Sequence, residues 1–191
     1  MQEDLRVRRT KLAIKNAFLD LLEQKPLDDI TIKEITEWAF CNRNTFYLHY
    51  EDKYDLLKKL CKDVMDSLYH DLEQIKYKAF ESPDELYLEI SRICMDAMEA
   101  DLRFYTLVLG KNRYPKFSEQ YRQGIISYIL SGLAVSEENM KTKKLEVEFS
   151  TNGLVGVHRY WLLHQEEFSK EDILSISRNI ILGLGKIIYE K

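Results

Sequence analysis

Proline and glycine are scarce in this chain, with three and seven among 191 residues. Long stretches therefore hold no residue that must break a helix. Cysteine is equally sparse. Cys41, Cys61 and Cys94 are odd in number and far apart, which argues against a disulfide framework or zinc site and suits reduced, mostly buried thiols. No apolar run approaches the roughly 18 residues that a membrane span needs. The longest candidate, Gly124 to Val135, is shorter and contains Ser127, Ser131 and Gly132. The opening MQEDLRVRR lacks the apolar core of a secretory signal, so a cytoplasmic location is expected. A Gly-rich phosphate loop, G-x-S-x-G, H-E-x-x-H and C-x-x-C are also missing. The carboxylates are scattered among lysines, as on solvated helix faces, so no enzyme, cofactor or metal site is expected. His158 and His164 fall on different faces of a helix, which leaves them core or surface roles.

What is present is charge, and it is unevenly spread. The net charge is −4. Residues 1–60 hold 11 Lys+Arg and 11 Asp+Glu, whereas residues 61–191 hold 17 and 21, which accounts for the whole imbalance. Arg6, Arg8, Arg9 and Lys11 cluster near the start. A polyanionic partner responds to such local charge, not to the total.

The stretch from Thr31 to Lys53, TIKEITEWAFCNRNTFYLHYEDK, organises the rest. Thr31 with Glu34 three residues later predicts a capping box and a helix from Ile32. Ile35 and Ala39 continue its apolar stripe. Asn42 predicts a second cap, with its side chain accepting from Asn44 or Thr45, and a second helix from Arg43. On that helix Phe46 and Tyr50 should face inward, leaving Arg43, Asn44, Tyr47 and Leu48 outside. Two short helices so spaced predict a helix-turn-helix, and Arg43, Asn44 and Thr45 stand where side chains reach major-groove base edges.

The run NRNTFYLHYEDKYDLL resembles the recognition helix and following helix of the tetracycline-repressor (TetR/AcrR) family, and RRTKLAIKNAFLDLLEQKPLDDITIKEI is similar to its opening. The likeness covers about residues 8–57. It implies phosphate contacts from Thr31, Lys33, Tyr47, His49 and Lys53. One position departs from the family. Where it usually has Gly or a small polar residue this chain has Phe40, and a bulky residue in a left-handed turn costs about 1 kcal/mol.

The remaining pattern is helical. The expected helices are Thr10–Lys25, a long rod Asp52–Phe80, about 84–99, 101–109, 116–133, 141–164 and 170–189. The fold class expected is all-α with about nine helices. A DNA-binding domain over 1–55 would precede a helical effector-binding and dimerisation domain over 56–191. The last helix carries two apolar stripes, Ile173, Ile176, Ile180, Leu184 and Ile187 beside Leu174, Ile181 and Ile188. Gly153 and Gly156 on the helix before it would admit a close backbone. A homodimer centred on Gly153, Gly156, Ile173, Ile180 and Leu184 buries the surplus face, and the resemblance implies the same pairing.

Tyr105, Tyr121, Tyr128 and Trp161 form a candidate lining for a small effector in the body. The expected function is a DNA-binding repressor of transcription that acts on an operator duplex and is released by a small molecule. The alternatives are an activator working through a protein coactivator and a helical adaptor that no longer binds DNA.

Overall fold

The computed structural model describes residues 5–75, 78, 80, 83–111, 114–131 and 137–189, with backbone alone for 83–84, 137–139 and 181–189. Every regular element among them is helical. The chain divides into two compact units, Met1–Val64 and Met65–Lys191. The division falls inside a helix, later than the 55/56 boundary expected.

In the first unit, α1 (Leu5–Gln24) is followed by a 3-10 turn (Leu27–Asp29), α2 (Ile32–Trp38), α3 (Arg43–Tyr47) and the start of α4 (Lys53–Glu73). α1 begins before Thr10 because nothing from Leu5 onward opposes helix, and it ends ahead of Pro26. Its stripe Ile14, Ala17, Phe18, Leu21 and Leu22 is buried, as are Ile35, Phe46, Leu56 and Leu57 from the helices that follow.

The second unit holds the rest of α4 with α5 (Pro83–Ala100), α6 (Leu102–Tyr105), α7 (Pro115–Ser131), α8 (Glu137–Leu163) and α9 (Lys170–Tyr189). α7 packs on α8, and α9 packs on α5 and α8. Lys170 at the start of α9 bridges to Asp96 at 2.7 Å and Glu99 at 2.5 Å on α5. Arg122 on α7 likewise reaches Glu148 on α8.

Two expectations are corrected here. The rod expected to reach Phe80 ends as α-helix at Glu73. The Leu72 carbonyl, drawn away from its helical partner, accepts both the Tyr128 hydroxyl at 2.6 Å and the Ile75 amide at 3.1 Å. The helix expected over 101–109 is α6 followed by a π turn, Thr106–Gly110, closed by the Lys111 amide on the Thr106 carbonyl at 2.8 Å. The wider turn buries Leu107, Val108, Leu109 and Gly110 in succession. Gly110 lies so near α8 that a Cβ there would meet the Leu162 Cβ at 3.2 Å.

Candidate nucleic-acid interface and the core of the body

Both helix starts predicted around the turn are present. The Thr31 side chain accepts from the Glu34 amide while the Glu34 carboxylate accepts from the Thr31 amide, a complete capping box. Lys25, at 2.6 Å, and then Thr31 hold the Glu34 carboxyl down at about 2. Asn42 caps α3 by accepting from the Asn44 amide at 2.9 Å. The turn between the helices has the Schellman pattern, with the Cys41 amide on the Thr36 carbonyl and the Phe40 amide on the Glu37 carbonyl. That pattern needs a left-handed residue after the cap. Phe40 supplies it at φ 50, with its side chain 97% exposed. The backbone geometry that glycine usually provides is thus kept, at the cost of strain in a residue that packs on nothing in its own unit.

α3 is only five residues long, too short to stand alone. It is held from beneath. Phe46 is fully buried, with its ring 5.4 Å from the buried Tyr50 ring. Lys59 donates to the His49 carbonyl at 2.9 Å. Arg43, Asn44, Tyr47 and Leu48 are left exposed and Thr45 and His49 half-buried. Thr31 and Lys33 are exposed at the start of α2. These seven positions other than Leu48 are the expected nucleic-acid contacts, and they lie on two adjacent short helices and the turn after α3. Lys53 differs from them. Its ammonium donates to the carbonyls of Asp28, at 2.5 Å, and Ile30, at 2.8 Å, so it braces the 3-10 turn instead of projecting freely.

The residues expected to line an effector site are drawn together only in part. Tyr105 and Tyr121 are fully buried with ring centroids 6.4 Å apart, in one aromatic cluster with Phe104 and Phe117. Trp161 is buried on α8. Tyr128 stands apart, its hydroxyl committed to the Leu72 carbonyl of α4. Sequence reasoning assigned no site role to Ser91 and His158. His158 is fully buried, with Nδ1 3.1 Å from the Tyr121 hydroxyl and Nε2 3.1 Å from the Ser91 hydroxyl. Burial lowers its pKa to about 3, so the ring is neutral. A lone buried-stripe histidine was the available signal, and it does not reveal its partners on other helices. His164 lies half-buried and stacks on Tyr160. Among the described residues no group of three or more potential ligands could hold a metal ion, and no helix is long and apolar enough to cross a membrane.

The residues expected at a dimer interface also divide. Gly153 and Gly156 are exposed with nothing within 4 Å of an added Cβ. Ile180 is 51% exposed. Around them Leu145, Phe149, Tyr160, Leu163 and Ile176 are exposed too, so one face of α8 and α9 is apolar and uncovered within the chain. Ile173 differs from Ile180: it is 4% exposed within the chain, on the helix that packs on α5 and α8. Leu184 lies outside the described side chains.

Comparison with known proteins bears on the family and the fold. Residues 84–183 match a TetR family model described as "Transcriptional regulator C-terminal region". The HTH-type transcriptional regulator YxbF of Bacillus subtilis, itself uncharacterised, is 26% identical over 118 residues. The matched stretch is 59% of this chain but only 30% of that relative's length. Among solved structures, a Clostridium perfringens protein proposed as a fatty acid metabolism regulator superposes with a TM-score of 0.68 at 17% identity, covering 90% of this chain and 97% of that one. NalD of Pseudomonas aeruginosa, the secondary repressor of the MexAB-OprM multidrug efflux pump, gives a TM-score of 0.65 at 16% identity over 92% and 96% of the two chains. With its helix-turn-helix, its all-α body and a family model spanning residues 84–183, the chain belongs to the TetR/AcrR family of transcriptional regulators.

Proposed function

We propose that this protein is a cytoplasmic, dimeric repressor that reads an operator duplex through α3 and releases it when a small molecule enters the body. Arg43, Asn44 and Thr45 meet base edges, and Thr31, Lys33, Tyr47 and His49 meet phosphates. Lys53 serves mainly as a brace for the 27–30 turn. The two protomers pair through the exposed apolar face of α8 and α9 and set the α3 helices on half-sites about 34–36 Å apart.

The observation that carries this reading is the split of α3, with Phe46 fully buried and Arg43, Asn44, Tyr47 and Leu48 presented outward. A helix of structural purpose alone has no need of an outward face opening Arg-Asn-Thr.

The test is footprinting of the purified protein on the promoter region beside its own gene. A protected pair of half-sites, lost as salt is raised, is expected. Uniform weak binding to all duplexes would overturn the assignment.

A further inference from the structure

Residues Arg43 to Tyr50 include one wholly aliphatic hydrocarbon side chain, that of Leu48. Leu48 ends α3 with φ −67 and ψ −21, so helical geometry runs on through it, and its amide donates to the Asn44 carbonyl at 3.1 Å. Residues four apart share a helix face. The outward side of α3 is therefore built of two rows, Arg43 with Tyr47 and Asn44 with Leu48, while Phe46 and Tyr50 form the buried row.

Leu48 is 79% exposed. Single exposed apolar side chains are common on protein surfaces and on most faces carry no meaning. Leu48 is set apart by its place. It stands one turn beyond Asn44, within the face that the operator reading sends into the major groove.

The backbone around it is fixed. The His49 amide donates to the Phe46 carbonyl at 2.9 Å, and the His49 carbonyl accepts from the Lys59 ammonium at 2.9 Å. Leu48 is thus presented on a preformed surface, and its use in binding costs little ordering.

What such a side chain can meet follows from the chemistry of the groove. The major-groove edges of the base pairs carry hydrogen-bond donors and acceptors and a single apolar group, the 5-methyl of thymine. Leucine set against a phosphate, a carbonyl or an amino group strips water from it and gives no hydrogen bond in return. Set against a methyl group, it removes apolar surface of both partners from water.

Spacing fixes where that methyl lies. One turn of helix rises about 5.4 Å, and stacked base pairs are about 3.4 Å apart. Asn44, with its paired donor and acceptor, suits adenine. A methyl group beneath Leu48 then belongs to a thymine within about two base pairs of that adenine.

We propose that Leu48 is a specificity-determining residue that reads the 5-methyl group of a thymine in each operator half-site. The assignment rests on the operator reading given above and adds to it a contact made by apolar surface alone.

The test uses the full-length protein and the footprinted duplex. Each thymine is replaced in turn, symmetrically in both half-sites, by deoxyuridine, which loses the methyl group and keeps the base pairing. At one position the wild type should bind about fourfold more weakly per half-site, the effect of one buried methyl. Leu48→Ala should weaken binding to the thymine duplex at least as much, and should bind the thymine and uracil duplexes of that position equally. Its urea midpoint should match that of the wild type, because the side chain is exposed. Leu48→Met, which keeps an apolar tip, should retain the preference for thymine.

Uracil tolerated at every position by the wild type would overturn the proposal. So would a methyl effect that survives intact in Leu48→Ala, since another side chain would then read it. An equal loss on specific and random duplex for Leu48→Ala would place the leucine against the sugar-phosphate backbone and overturn it too. Each of these results leaves the protected half-sites in place and the operator reading standing. Absence of protected half-sites in the wild type would overturn the operator reading, and the Leu48 assignment with it.

Discussion

Gly124 on α7 lies directly beneath Tyr69 of α4: a Cβ at Gly124 would stand 2.5 Å from the Tyr69 hydroxyl and 2.9 Å from the Met65 methyl. One turn further, Tyr128 holds the Leu72 carbonyl at 2.6 Å. The missing side chain and the hydroxyl together fasten α7 to the C-terminal half of α4.

That contact predicts opposite kinds of damage from two substitutions. Gly124→Leu overfills the contact and should destabilise the protein by about 1–3 kcal/mol. Tyr128→Phe leaves the packing and removes one bond, for about 1 kcal/mol. Urea denaturation separates them, and a Gly124→Leu variant as stable as the wild type would show that α7 can lift off α4 freely.

The strained turn offers a comparison within one position. Phe40 contributes no burial, so Phe40→Gly should be neutral or stabilising by up to about 1 kcal/mol, relief of strain being partly offset by a freer unfolded chain. Phe40→Val, branched at Cβ and held at the same φ, should be clearly less stable than either. Equal stabilities for the glycine and valine variants would deny that the positive φ is retained in solution.

Arg43 and Lys53 should part company when replaced by alanine. Arg43 is exposed, so Arg43→Ala should leave stability within about 0.5 kcal/mol yet change which bases are preferred. Lys53→Ala releases two backbone carbonyls and should cost about 1 kcal/mol of stability, with any loss of DNA affinity uniform over sequences. Denaturation paired with competition against random duplex checks both. Equal loss on specific and random duplex for Arg43→Ala would remove it as a base reader.

Assembly is tested at the uncovered face. Ile180→Glu places a charge in an apolar seam, and Gly156→Leu forces facing backbones apart, so each should shift the protein from dimer to monomer in sedimentation. Both side chains lie outside the monomer core, so helicity should survive. A wild-type monomer at high concentration would refute the pairing.

His158 makes stability depend on pH in a definite direction. Its folded pKa is lowered from 6.5 to about 3, so the unfolded chain binds the proton more readily. The contribution is whole above pH 6.5 and is lost progressively as pH falls toward 3. Lowering the pH from 7 to 5 should therefore reduce the urea midpoint, before carboxylates such as Glu34 are protonated. His158→Gln should flatten that change. An unchanged midpoint in the wild type would mean that the imidazole is hydrated in solution.

Local signals were read well from sequence, and long-range ones were not. The caps at Thr31 and Asn42 involve neighbours two or three residues away, so their geometry could be predicted from spacing. The inward turn of Phe46 and Tyr50 follows from helical periodicity. By contrast the end of α4 depends on a hydroxyl 56 positions away. The His158 contacts join residues 37 and 67 positions apart. Ile173 shares a periodic stripe with Ile176 and Ile180, yet it is buried where they are exposed, because α9 packs on α5 and α8, elements its own periodicity does not reveal. Periodicity gives the width of an apolar face but not the neighbour that covers each part of it.

The division of labour within α3 has a consequence for how such a protein can change its target. The supports of the helix are Asn42, Phe46, the nearby Tyr50 ring and the carbonyl of His49, with the Tyr47 ring edge-on to Phe46 at 5.7 Å, while Arg43 and Asn44 turn their side chains outward. Arg43 and Asn44 can therefore be exchanged at a folding cost within about 0.5 kcal/mol, so the chain can be recoded for another operator by a few single substitutions, each intermediate remaining a well-formed protein.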